Sequence, residues 1–429
     1  MRILITLFLM SVLAGSYARA QTADIQLDDY VYSEEIKTIL LYPAVDDPED
    51  PRRLIGPPVI PLETDRPLVM EFDDLTADYR GFRAKLIHCN ADWSRSVLND
   101  IEYTYEFNDY PITQFSQSFS TKVPYYHYRM EVPRVKLSGN YVLMVYSERN
   151  RKPVFTRRFM VYENKVRITA QARFSQGIRE QRTDQQIDFS LDHKGYQVVA
   201  PQTDLKVVIR KNFRWNLTRS GFKPTQVRPF DQVLDYQFFD LENTFPGGNE
   251  YRYWDSRTLA ARGFGIYELD RGDESTRLIL SPDESRARGA YIQMDDLNGQ
   301  YIVDQRESGR GSTEADYTPV VFTLRIPEVT DAKVYVNGGF LLWLLTAENE
   351  MKYNADMQAY QAVILVKQGV INYNYTVLPS GKTQANESLI EGDYAATEND
   401  YDILVYNRPP AARADHLVGY RTVEWNRRR

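Results

Sequence analysis

The chain has 429 residues, a formal net charge of −7 and 26% charged residues, a balance that argues against nucleic acid as a partner. Its one cysteine, Cys89, excludes an internal disulfide framework. Its four histidines, His88, His127, His193 and His416, show no spacing that would pair them with each other or with Cys89 as metal ligands.

In chain order, Arg2 precedes an apolar run from Ile3 to Leu13, and Ala18-Arg19-Ala20 comes next as a small-residue cleavage site. That order predicts a secretory signal peptide over residues 1–20. The apolar run is about half of the roughly 20 residues that a membrane span needs, and no later segment approaches that length. An exported, soluble protein is expected, and export without disulfides suits a bacterial periplasm.

The chain beyond the leader is too long for one sandwich and fits three modules of about 100 to 150 residues. Alternating apolar positions predict strands at Ile36, Thr38, Leu40 and Tyr42, then at Leu68, Met70 and Phe72, then at Phe82, Ala84 and Leu86. Tyr141 to Tyr146 is apolar on both faces and reads as a central strand. Phe155, Phe159 and Val161 close the first module, 21–163.

A second module, 164–280, opens with Val166, Ile168, Ala170 and Ala172 set between polar residues, a pattern with one wet face. Ile187 to Leu191 and Leu205 to Ile209 continue it, while Asp231 to Phe245 fits neither strand nor helix period. The third module, 281–429, carries a soft stretch at Ser308-Gly309-Arg310-Gly311-Ser312, expected to be a hairpin loop or mobile tip. Strands recur beyond it up to Ile403 and Val405. The fold class is therefore all-β, with tandem immunoglobulin-like sandwiches arranged as a rod.

Chemistry is sparse. The sequence has no glycine-rich phosphate loop, no Gly-x-Ser-x-Gly elbow and no zincin pair. No catalytic, cofactor-binding or metal residue is assigned, and no small-molecule substrate is expected. Cys89 beside His88 reads as a small buried thiol whose neighbour faces the other way. The 31 tyrosines suit half-buried strands and protein-binding faces equally.

The run Leu86-Ile87-His88-Cys89-Asn90-Ala91-Asp92-Trp93, followed by Glu102-Tyr103 and Phe107-Asn108, resembles the type IX secretion plug-protein family. The likeness continues at Ser118-Phe119-Ser120-Thr121, at Pro124 to Tyr128 and at Leu137 to Tyr141. It returns at Phe245-Pro246-Gly247-Gly248-Asn249-Glu250-Tyr251-Arg252 and at Leu389-Ile390-Glu391-Gly392-Asp393-Tyr394. Asn90 stands where the family pattern has Asp, and Trp254 where Phe is common.

The resemblance implies a non-catalytic protein of Bacteroidetes-type bacteria, in the periplasm at the inner face of the outer membrane. Its partner would be the large outer-membrane β-barrel translocon, whose periplasmic mouth it plugs when cargo or a shuttle partner is absent. His88, Asp92, Trp93, Glu250, Arg252 and Trp254 are then expected to meet that partner. The third module also resembles early-set domains that bind glycogen-like sugars, through Asn337-Gly338-Gly339-Phe340 and Trp343. The alternative reading is a periplasmic carbohydrate-binding protein that stacks a sugar ring on Trp343 or Trp254.

Overall fold

The computed structural model describes residues 25–47, 50–76 and 78–427, so the expected leader lies outside the described residues. Nearly all regular structure is β, folded into three two-sheet sandwiches.

In the first sandwich, strand Gly139–Ser147 runs antiparallel between Pro153–Tyr162 and Phe82–Cys89. The opposing sheet orders Ile36–Pro43, Leu68–Asp74, Tyr126–Glu131 and Gln114–Gln117. Alternate residues of both sheets, among them Phe72, Leu86, Tyr128, Tyr141, Leu143 and Phe155, fill the space between them. Tyr141 to Tyr146 is central, as its two-faced pattern predicts. Its outward side chains Val142, Met144 and Tyr146 are also buried, against strands Asn399–Asn407 and His416–Trp425 near the C-terminus.

Those last two strands belong to the second sandwich. Asn399–Asn407 pairs with Lys206–Lys211, with Ile209 opposite Ile403, and they face the sheet built on Arg167–Phe174 and Asp184–Asp192. The third sandwich is inserted between them. The chain leaves the second sandwich after Thr244–Pro246, builds Arg252–Asp255 against Gly369–Pro379, and returns just before Asn399. The division into 164–280 and 281–429 is thus crossed by strand pairing on both sides. Alternation shows which residues are extended but not which sheet they join.

The packing is also not a rod. The first sandwich touches the third as well as the second: Leu40, Tyr42, Leu54 and Val69 share one buried cluster with Val320, Phe322, Tyr360 and Tyr375. The stretch expected as a free tip takes part in this contact. Tyr125 donates its hydroxyl to the carbonyls of Ser312 (3.2 Å) and Ala315 (2.8 Å), and the Phe119 amide donates to the Thr313 carbonyl (3.0 Å).

Candidate functional site

The turn after strand Phe82–Cys89 shows what the first family-like run does. Asp92 accepts from the Ser94 amide (2.9 Å) and hydroxyl, which tightens the chain until Trp93 adopts a left-handed backbone with φ 64°. That conformation costs a non-glycine residue roughly 1–2 kcal/mol, and it turns the indole into the seam with the second sandwich. There Trp93 meets Trp215 edge to face at 4.8 Å. The Arg158 guanidinium lies 4.3 Å from the Trp93 ring centre, and Arg210 lies 4.2 Å from that of Trp215. Arg210 is buried and paired with buried Asp402, its Nε donating at 3.0 Å.

Around this stack the polar ends are tied across the seam. Asp415 accepts from the Ala91 amide and from Arg408, and Tyr406 donates to Asn140 (2.8 Å). His88 is buried edge-on against Tyr141 at 4.9 Å, and burial pushes its imidazole down to about 4, so it is neutral. Burial raises the Cys89 thiol to about 12, which makes it a packing group and not a nucleophile.

The other two family-like runs meet each other in space. Pro246-Gly247-Gly248 leaves the second sandwich directly beside Asp393-Tyr394, where the chain comes back. The Tyr394 amide donates to the Gly248 carbonyl (2.8 Å), the Gly248 amide to Asp393, and Asn249 Nδ2 to the Glu391 carbonyl (2.8 Å). A Cβ on Gly247 would overlap the Tyr394 carbonyl, and Gly248 has φ 68°, so glycine answers a steric demand at both positions. Buried Lys211 donates to the carbonyls of Pro246 (2.7 Å) and Gly247 (2.6 Å), and burial lowers its ammonium to about 8.

Glu250, Arg252 and Trp254 are all internal. Burial works against the Arg252 charge, but Glu391 and Asp283 more than restore it: Nε donates to Glu391 (3.1 Å) and a terminal nitrogen to Asp283 (2.6 Å). Trp254 packs edge-on against Phe322 (5.5 Å) and Tyr373 (5.5 Å) in the third core. Glu250 accepts from the Tyr291 hydroxyl and the Glu398 amide, and burial raises its pKa.

Of the six residues expected to meet a partner, only Asp92 is exposed, and it is engaged in its own turn. The other five are mortar between or within the sandwiches. At the half-buried Trp343, Arg214 lies 3.6 Å from the ring centre and covers one face, and Tyr251 packs beside it at 5.8 Å. The stacking reading needs an open indole face, which buried Trp254 does not supply.

The seam between the first and third sandwiches adds a buried ionic group to its apolar cluster. Asp73, fully buried, accepts from Lys367 (2.6 Å), Tyr317 (2.7 Å) and His127 (2.8 Å). Burial disfavours its charge, but Lys367 and His127 hold it below the ordinary carboxylate range. Beside it a cleft of about 780 Å³, lined by Ile36, Phe340, Leu342 and Leu344, is spanned by the Lys37–Glu348 ion pair (2.6 Å). Among the described residues, no group of three or more His, Cys, Asp or Glu is placed to hold a metal ion.

A cluster of exposed apolar residues lies elsewhere on the first sandwich. Val97, Ile101, Tyr105 and Phe107 are 70%, 77%, 66% and 85% exposed within one short segment. The segment is rigidly mounted. Glu102 accepts from the Asn99 amide (2.8 Å) in a capping box, Tyr103 is buried with its hydroxyl on the Leu86 carbonyl (3.1 Å), and Asn108 bonds both backbone groups of Leu86. Lys136 donates to the Ile101 carbonyl (2.9 Å) and lies 5.4 Å from the Tyr105 ring centre. Sequence periodicity missed this knob because it is a loop around a single helical turn, Asp100–Tyr103. The Asn99 to Glu102 capping spacing, flanked by unpaired apolar residues, was the available signal.

Comparison with known proteins adds three findings. Residues 36–163 match the family model described as the type 9 secretion system plug protein 1st domain. No curated protein matches. The crystal structure of a hypothetical protein from Parabacteroides merdae is similar with a TM-score of 0.88 and 31% sequence identity, covering 94% of this chain and 100% of that one. The chain therefore belongs to the same family as the Parabacteroides merdae protein, and its residues 36–163 carry the first domain of type 9 secretion system plug proteins.

Proposed function

We propose that this chain is a non-catalytic periplasmic protein that binds the inner mouth of the type IX outer-membrane translocon barrel and closes it when cargo is absent. The observation that carries the reading is the plug-protein first domain at 36–163, which presents four exposed apolar side chains on a fixed mount. A barrel wide enough for folded cargo leaks solutes unless a body covers it. A body of three sandwiches packed on one another covers a hole by shape and contact area, without reactive groups. Exposed aromatic and aliphatic anchors clustered in one patch are what such a contact needs at its centre.

The knob of Val97, Ile101, Tyr105 and Phe107 takes the docking role in place of the buried motif residues. No feature of Trp343 or of the 780 Å³ cleft favours a sugar ligand over this reading. The test is capture of a tagged full chain from detergent-solubilised outer membranes, with identification of the co-purifying proteins. Recovery of a large β-barrel of the secretion apparatus is expected. Its absence, with the tagged chain intact, contradicts the proposal.

A further inference from the structure

Where the chain crosses from the second sandwich to the third and back, four carboxylates gather. Glu250 lies on the outgoing segment, Asp296 on the loop beside it, and Glu398 and Asp400 on the returning one. Asp296 accepts from the Tyr251 amide and from the Asn298 amide (2.6 Å). Asn298 in turn donates its side chain to Asp400 (3.0 Å), while the Glu398 amide donates to Glu250 (3.2 Å). The second oxygen of Glu250 is buried with no hydrogen-bond partner.

Most of the cations packed around this cluster are committed to other groups, and Arg427 is the exception, since it also pairs with Glu398. Arg286 serves Glu391 and the Glu250 carbonyl, Arg252 serves Glu391 and Asp283, and Lys211 holds the carbonyls of Pro246 and Gly247. Arg214 is bound to Glu387 and the Tyr251 hydroxyl, and Arg210 to Asp402. Arg427 sits at 3.6 Å from Glu398 and is bonded to Glu424. Among the described residues, the other titratable groups facing the cluster are the phenol of Tyr291 and, beside Asp400, the carboxylates of Asp402 and Glu424.

We propose that this double crossing is a pH-sensitive latch, closed while the carboxyl cluster keeps a proton and loosened once the cluster is fully ionised. Burial places the Asp296 carboxyl at about 7, with Glu250 and Glu398 adding repulsion, and burial likewise raises Glu250 and Asp400. An acid whose pKa is higher in the closed joint than in an open one holds its proton preferentially when closed. The joint is tightest below the ordinary carboxylate pKa of about 4, weakens as pH rises towards 7, and changes little above that. The inference concerns the isolated chain and stands whether or not the chain plugs a barrel.

The experiment is hydrogen exchange of the full chain from pH 5 to pH 8, corrected for the intrinsic exchange rate and read at the amides of Gly248, Tyr394 and Glu398. All three donate across the crossing. Opening at these amides is expected to rise by about tenfold per pH unit up to 7 and then level off, while Asp296→Asn shows a distinctly shallower profile. Wild-type protection that stays constant from pH 5 to 7 overturns the proposal, as does an Asp296→Asn profile that matches wild type. Should Asp296→Asn fail to fold, the wild-type profile decides alone, with Glu250→Gln as the second variant expected to reduce the slope.

Discussion

The seam between the first and second sandwiches and the joint between the second and third hold their partners by different means. At the seam, two indoles and two guanidinium groups alternate, Trp93, Arg158, Trp215 and Arg210, and the buried charge of Arg210 is answered by Asp402. At the joint the contact is mostly backbone. Two strand connections run side by side, glycines let them approach, and side chains such as Lys211 and Asn249 bond carbonyls. The seam therefore depends on which side chains are present, whereas the joint depends on where the chain is allowed to go.

Substitutions can break that contrast. The largest effect is expected at the seam: Asp402→Ala leaves Arg210 buried without a counter-charge, at a cost of about 3–5 kcal/mol, measurable as a lower midpoint in urea unfolding. A loss well under 1 kcal/mol would mean that Arg210 reaches water and that the seam is looser than described. At the joint, Gly247→Ala forces a methyl group into the Tyr394 carbonyl and should cost about 1–3 kcal/mol. Its signature is local, with faster exchange at the Tyr394 amide and an unchanged first-sandwich core. Uniform loss of protection would show that the joint and the core unfold together.

Much of the fold was legible in the sequence and much of the site was not, for separate reasons. Period-two alternation marked the strands, and the two-faced run at Tyr141 to Tyr146 announced a sheet with neighbours on both sides. The strict alternation at Val166 to Arg173 matched an edge strand with one wet face, Arg167–Phe174. Pairing between strands far apart in sequence leaves no local trace, so the insertion of the third sandwich into the second, with Ile209 opposite Ile403, could not be read.

The family-like runs misled in an instructive way. His88, Trp93, Glu250, Arg252 and Trp254 looked like partner contacts because aromatic and charged residues serve interfaces. They do serve interfaces and cores, but inside this molecule. The tyrosines obey the same rule, with the hydroxyls of Tyr125, Tyr317 and Tyr406 spent on bonds between sandwiches. The exposed knob carried no periodic signal, since its apolar residues sit in a loop whose conformation is set by Asn99, Tyr103 and Asn108.

The most direct test of the account is to repeat the membrane capture with Ile101→Asp/Phe107→Asp beside the wild-type chain. Both side chains are exposed, so the change in folding stability should stay within about 0.5 kcal/mol, checked by thermal unfolding. The account predicts that recovery of the barrel is lost while the melting temperature is unchanged. Undiminished recovery by a normally folded double variant would contradict it.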